Sequence, residues 1–192
     1  MTNGGLIKET FYSDLDYDYE VVCGGPLLKD YPIYFKLAEN CTGTQKDQKD
    51  TCACVAMTIS SIAEAYWNNT LGEKGEHSEG FIYSEFRKEN SKNSGLIVSV
   101  AMEKWRELGT VPKLNFDLLM EMPELKDVVA KYPELFEIAK NYRLSAYTRL
   151  RSNSTSTQEE QIKDALLKYG YGLVAVDGNH CMHLLEHQQK EG

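Results

Sequence analysis

From Thr51 the chain runs without a glycine or a proline until Gly72, and over that stretch Cys54, Val55, Met57, Ile59, Ile62, Ala63, Ala65 and Tyr66 place apolar side chains around a broad helical face. The pattern predicts a buried helix from about Cys52 to Asn68, because a face that wide cannot be left to water. The rest of the chain must cover it. A length of 192 residues, with 42% hydrophobic and 26% charged, is enough to build such a core without metal or disulfide staples.

The elements expected around that helix follow from local pattern. Residues 1–30, rich in Asp and Tyr and closed by Gly24-Gly25-Pro26, read as an N-terminal arm. A short helix is expected near Phe81 to Lys88. Val98, Ala101, Met102, Trp105 and Leu108 recur at helical spacing and stop at Gly109, which predicts a second long helix with a glycine C-cap. Pro123 and Pro133 should break the helical pattern between Leu118 and Lys140 into short pieces. Arg143 to Leu150 reads as a strand, Glu159 to Lys168 as a helix, and Gly172 to Val176 as a strand. Helices come first and strands late, an α+β order.

Charge and cysteine usage exclude several classes of function. Lys and Arg total 21 against 29 Asp and Glu, a net charge of -8 with no basic cluster, so nucleic acid is not an expected partner. Met1-Thr2-Asn3-Gly4-Gly5 has neither the charged start nor the apolar run of a signal peptide, and no stretch reaches the ~18 apolar residues of a membrane span. A soluble, cytoplasmic protein is expected. Cys23, Cys41, Cys52, Cys54 and Cys181 form an odd, sparse set, better read as free thiols than as a disulfide framework.

One of those thiols occupies a chemically pointed position. Cys54 stands in the first turn of the long apolar helix, and Gln48 lies six residues before it. The partial positive charge of a helix N-terminus stabilises a thiolate, and a nearby imidazolium stabilises it further, so the anion exists at neutral pH as a nucleophile. The Gln48 amide and the Cys54 N–H could together hold an oxyanion.

Gln48 and Cys54 at this spacing resemble the papain-like cysteine peptidases. Further pieces resemble the same family in the same order: Gly80-Phe81-Ile82-Tyr83, the stretch from Gly95 to Gly109, Ala139 to Tyr147, Gln161 to Leu166, and Tyr169 to Val176. The family's histidine opens a strand, and Gly178-Asn179-His180-Cys181-Met182 matches best at His180. His183 is the other candidate, but it would put Glu186 and His187 where apolar residues belong. Strand alternation would turn His180 and Met182 to one face and Cys181 and His183 to the other.

The resemblance implies a papain-like α+β fold. A helical subdomain over 31–120 would carry Cys54, a partial antiparallel β subdomain over 121–192 would carry His180, and a cleft would lie between them. The implied reaction is peptide-bond hydrolysis without a cofactor or metal: Cys54 attacks, His180 shuttles the proton, and Gln48 binds the oxyanion. Gly95 is expected on the substrate-binding edge, where a small residue lets a peptide backbone approach. The partner is a peptide or protein substrate.

Departures from the family pattern shape the alternatives. Thr51 replaces a frequent disulfide cysteine and Val55 a frequent aromatic residue, neither of them chemical. The sequence ends at Gly192, before the family's imidazole-orienting Asn. A fragment, a replaced orienter or a catalytically impaired peptide-binding module would each fit that ending. The sheet edge would then be covered by the arm, a partner chain, a missing C-terminal segment, or nothing. A different class, a small metal-binding protein using His180, His183 and His187 with Glu186, plus Cys52 and Cys54, lacks a recognised zinc spacing.

Overall fold

The computed structural model describes residues 34–36, 45–49, 51–72, 75–87, 94–116, 128–150, 156–168, 174–177, 180–183 and 186–188. The arm over 1–30, Cys23, Cys41 and Pro123 lie outside them. The described elements, in order, are β1 (Tyr34–Lys36), α1 (Cys54–Leu71), α2 (Glu79–Phe86), α3 (Val98–Leu108), α4 (Val128–Lys131), α5 (Glu134–Ala139), a 3-10 turn (Lys140–Tyr142), α6 (Gln158–Lys168), β2 (Val174–Asp177), β3 (His180–His183) and β4 (Glu186–Gln188). The arrangement is α+β.

Helix α1 is the axis of the core. Its 18 residues extend about 27 Å, and every residue from Cys54 to Ser60 is buried. It packs against α2, α3 and β3. The helix runs three residues past Asn68 to Leu71, because the chain turns only where Gly72 adopts a left-handed φ of 67°.

The two helices beside it are set by their ends. Ser78 caps α2, its Oγ accepting from the Phe81 N–H at 3.1 Å, so the helix begins at Glu79, two residues before the apolar pattern. Phe81, Ile82, Tyr83 and Phe86 then enter the core. Helix α3 has the bounds read from its periodicity, with Ala101, Met102 and Trp105 buried. At its end Gly109 (φ 94°, ψ -174°) donates its N–H to Trp105 O at 2.9 Å. A Cβ on Gly109 would lie 1.8 Å from the Ala139 carbonyl oxygen, so only glycine permits this approach of α3 to α5. The Trp105 indole N–H and the Thr110 N–H both donate to Tyr142 O, at 2.9 and 3.2 Å. Trp67, His77 and Tyr142 pack as an aromatic group beside that junction, with tilted and edge-to-face rings.

Pro133 divides the next segment as expected, with α4 before it and α5 immediately after. Residues 143–150 correct an expectation: they form no strand. Leu144 and Tyr147 still pack against the core, and the Tyr147 hydroxyl donates to Glu103 Oε2 at 3.3 Å. The alternating pattern was answered by helices on one side rather than by a neighbouring strand's N–H and C=O groups, and without such pairing no ladder forms.

The described strands form two antiparallel pairs. β2 pairs with β3 in the register Val174↔His183, Ala175↔Met182, Val176↔Cys181 and Asp177↔His180. β1 pairs with β4, Phe35 opposite His187. No strand was expected there, although Ile33, Tyr34 and Phe35 are residue types that favour one.

Candidate active site

A tight turn delivers Cys54 to the start of α1. Gln48 O accepts from both the Thr51 N–H, at 3.0 Å, and the Thr51 hydroxyl, at 2.7 Å. Lys49 adopts a left-handed φ of 48°, and its N–H donates to Asp47 Oδ1 at 2.9 Å. A non-glycine residue in that region carries backbone strain that the surrounding turn must hold. Ala53 occupies the N-cap of α1 and offers no side-chain acceptor to the first amides of the helix. The helix N-terminus, with its partial positive charge, therefore faces Cys54 without a competing cap.

Cys54 is 2% exposed and belongs to the same buried cluster as Tyr83 and Cys181. Cys181, on β3, shares a hydrogen bond with the Thr58 hydroxyl, and Thr58 stands one helical turn below Cys54 on the same face of α1. Burial above all pushes the Cys181 thiol up to about 12, and the nearby Cys54 adds to the rise. Burial likewise raises the Tyr83 hydroxyl, opposed by a hydrogen bond from Arg87, with smaller contributions from Cys52 and Cys54. Cys54 thus shares its buried cluster with a phenol and a thiol whose raised values keep both protonated at neutral pH.

The histidines separate along β3. His180 opens the strand and is exposed, Cys181 is buried, Met182 is 40% exposed, and His183 is partly buried, the alternation expected from the sequence. His183 Nδ1 lies 3.1 Å from Ser61 Oγ, and burial holds its ring down to about 4. Ser61 is seven residues beyond Cys54, about 10 Å along the helix. From Cys181 at Thr58 to His183 at Ser61, the strand descends α1, so the backbone of its first residue, His180, is nearer the Cys54 end, while the alternation turns the exposed His180 side chain to the face opposite Cys181 and His183.

Gln48 is half-buried, and its side-chain Oε1 is buried without a hydrogen bond among the described residues. Gly95 is buried, beside Ser94, whose carbonyl accepts from the Tyr83 hydroxyl at 2.9 Å. Among the described residues there is no group of three or more His, Cys, Asp or Glu side chains able to hold a metal ion, and no helix long and apolar enough to cross a membrane.

Sequence reading passed over a buried ionic group next to this site. The Lys46 ammonium contacts Glu64 Oε1 of α1 and, at 2.7 Å, Glu79 Oε1 of α2. Their side chains are 8%, 0% and 11% exposed. The only local signal was Glu64 itself, a charge within an otherwise apolar helix.

No family model matches the chain, and no curated protein matches it. Solved structures do. The chain is similar to xylellain, a cysteine protease from Xylella fastidiosa (TM-score 0.67, 14% identity, covering 97% of this chain and 77% of that one). It is also similar to digestive procathepsin L 3 of the Tenebrio molitor larval midgut (TM-score 0.63, 14% identity, 100% and 63%). A third similar structure is the Amb a 11 cysteine protease, a ragweed pollen allergen, in its proform (TM-score 0.54, 15% identity, 85% and 53%). These neighbours are papain-like cysteine proteases, and the fold of the present chain is the papain-like α+β fold. The chain spans about three quarters of xylellain and less than two thirds of the other two.

Proposed function

We propose that this protein is a cysteine peptidase that hydrolyses peptide bonds with Cys54 as nucleophile and His180 as general base and acid. The observation that supports the reading is that Cys54 heads α1 and His180 opens β3, two elements packed directly against each other; the β3 side chains that meet α1 are those of Cys181 and His183. The papain-like fold supports the same roles by analogy.

In this reading Cys54, stabilised as thiolate by the α1 N-terminus and a protonated His180, attacks the scissile carbonyl. The tetrahedral oxyanion is held by the Cys54 N–H and the Gln48 amide. His180 gives its proton to the leaving amine, then takes one from the water that hydrolyses the thioester. The buried Tyr83 and Cys181 exclude water behind the sulfur without offering a competing anion. Gly95, adjacent to the Tyr83-bound Ser94, borders the groove for substrate backbone.

The test is turnover of a mixed peptide library by wild type, Cys54→Ala and His180→Ala. Cleavage by wild type that either substitution abolishes supports the assignment. Peptide binding without cleavage by a wild type whose Cys54 alkylates no faster than Cys52 would refute it.

A further inference from the structure

The oxyanion amide of the proposed site lacks an anchor of its own. Gln48 Oε1 is buried without a hydrogen bond among the described residues, so the direction of the amide depends on the backbone of 45–49. Besides the local Lys49 N–H bond to Asp47 Oδ1, contacts at both ends hold that backbone. At its C-terminal end the Gln48 carbonyl is bonded by Thr51. At its N-terminal end is Lys46, two residues from Gln48, whose ammonium is shared by the Glu64 and Glu79 carboxylates.

Those carboxylates belong to the parts of the fold that carry the nucleophile. Glu64 lies on α1, ten positions after Cys54, and its Oε1 also accepts from the His77 N–H at 2.9 Å and from Ser60 Oγ at 3.2 Å. The single Ser60 hydroxyl hydrogen is shared between Glu64 Oε1 and the nearer acceptor, His77 O, at 2.8 Å. Glu79 is the first residue of α2, where the helix dipole favours a carboxylate. One ammonium therefore ties the Gln48 segment to both core helices. A buried ionic group is weak as a source of stability, since desolvation offsets the attraction, and its best-attested use is to fix one arrangement among several.

We infer that Lys46 is a positioning residue for the reaction, holding the Gln48 amide in register with the Cys54 N–H through Glu64 and Glu79. The inference rests on the peptidase reading above. Displacing a catalytic group by about 1 Å can lower turnover about 100-fold, so a modest loosening of 45–49 is enough to matter.

The test compares two reactions of Cys54 in the full-length chain. Hydrolysis of a fluorogenic peptide passes through an oxyanion, whereas alkylation by iodoacetamide displaces iodide at a saturated carbon and forms none. Lys46→Met should lower kcat/KM by about 10–100-fold while leaving alkylation within about twofold. In a Gln48→Ala background the same substitution should add less than about twofold, because the amide it positions is gone. Lys46→Arg should recover most of the turnover. If alkylation falls in step with hydrolysis, or the Lys46 and Gln48 effects multiply in full, Lys46 is only structural and the inference fails. Should Lys46→Met not fold, the neutral variant Lys46→Met/Glu64→Gln/Glu79→Gln takes its place.

A wild type that turns over no peptide would overturn the peptidase reading instead, and amide exchange then decides the positioning. Removing the Lys46 charge should expose the Thr51 amide, bonded at 3.0 Å to Gln48 O, while α1 amides keep their protection. Unchanged protection at Thr51 would refute the tether.

Discussion

His183 Nδ1 lies 3.1 Å from Ser61 Oγ, and with the hydrogen bond between Cys181 and Thr58 this contact marks how far along α1 the strand β3 has advanced. It occupies one ring nitrogen of His183 at a level about 10 Å from Cys54. The other nitrogen, Nε2, is buried without a hydrogen bond among the described residues. His183 is thus a packed histidine of the helix–strand junction, whereas His180, three residues earlier at the start of β3, is exposed.

The two histidines should accordingly respond in opposite ways. His180→Ala is expected to lower kcat/KM by at least about 1,000-fold with little change in stability. His183→Ala should leave kcat/KM within about fivefold and lower stability by about 1–2 kcal/mol through the lost contact with Ser61. Parallel kinetics and urea denaturation of the two variants measure both effects. The reverse pattern would transfer the base to His183.

The thiols should differ in reactivity by position. Cys54 is expected to alkylate well below pH 8 and ahead of Cys52. Exposure does not separate Cys181 from Cys54, at 3% and 2%, but the Cys181 thiol, raised to about 12, should stay unlabelled in the native protein at pH 9 and react after denaturation. Peptide mapping by mass spectrometry after timed labelling resolves the order. Early labelling of Cys181 would contradict its burial against Thr58.

Stability should fall between pH 6.5 and 4. Burial, with the Lys46 charge as a smaller contribution, lowers His77 to about 4, and burial alone lowers His183 to about 4. Above pH 6.5 both rings are neutral in the folded and unfolded chain and contribute no pH dependence. As the pH falls through 6.5, the unfolded chain binds protons that the folded one refuses, and stability is lost until the folded rings also protonate near 4. The loss is on the order of 3 kcal/mol per ring at most. Glu76, whose carboxyl is lowered chiefly by its hydrogen bond from Lys113, weakens only at lower pH. Urea midpoints at pH 7, 5.5 and 4.5 check this; a constant midpoint down to 4.5 would contradict it.

Gly109→Ala should destabilise the protein by more than about 3 kcal/mol, since the new methyl meets the Ala139 carbonyl at 1.8 Å and the backbone stands at φ 94°. Thermal unfolding of the variant gives the measurement. A loss below 1 kcal/mol would mean that α5 can withdraw from α3 freely.

Much of this was legible along the chain because it is local. The bounds of α3, the break at Pro133 and the helix that begins near Cys54 follow from apolar spacing and from glycine and proline, whose conformational limits act within a turn. The ordered likeness from Gln48 to Val176 pointed to the papain-like fold that the solved structures bear out. Residues 143–150 show the limit of such reading: their alternation is a strand pattern, but a strand exists only where another chain segment supplies the hydrogen bonds, and here none of the described segments does.

By itself, then, the sequence determined the helices, the thiol at the head of the longest one, and the alternation of His180 and His183 across β3. Tertiary structure alone decided how far β3 slides along α1, that Tyr34–Lys36 pairs with Glu186–Gln188, and that Lys46, Glu64 and Glu79 meet in the core. Helical periodicity is written in residues three and four apart, whereas these contacts join residues 18 to 154 positions apart, whose approach is set by the packing of every element between them.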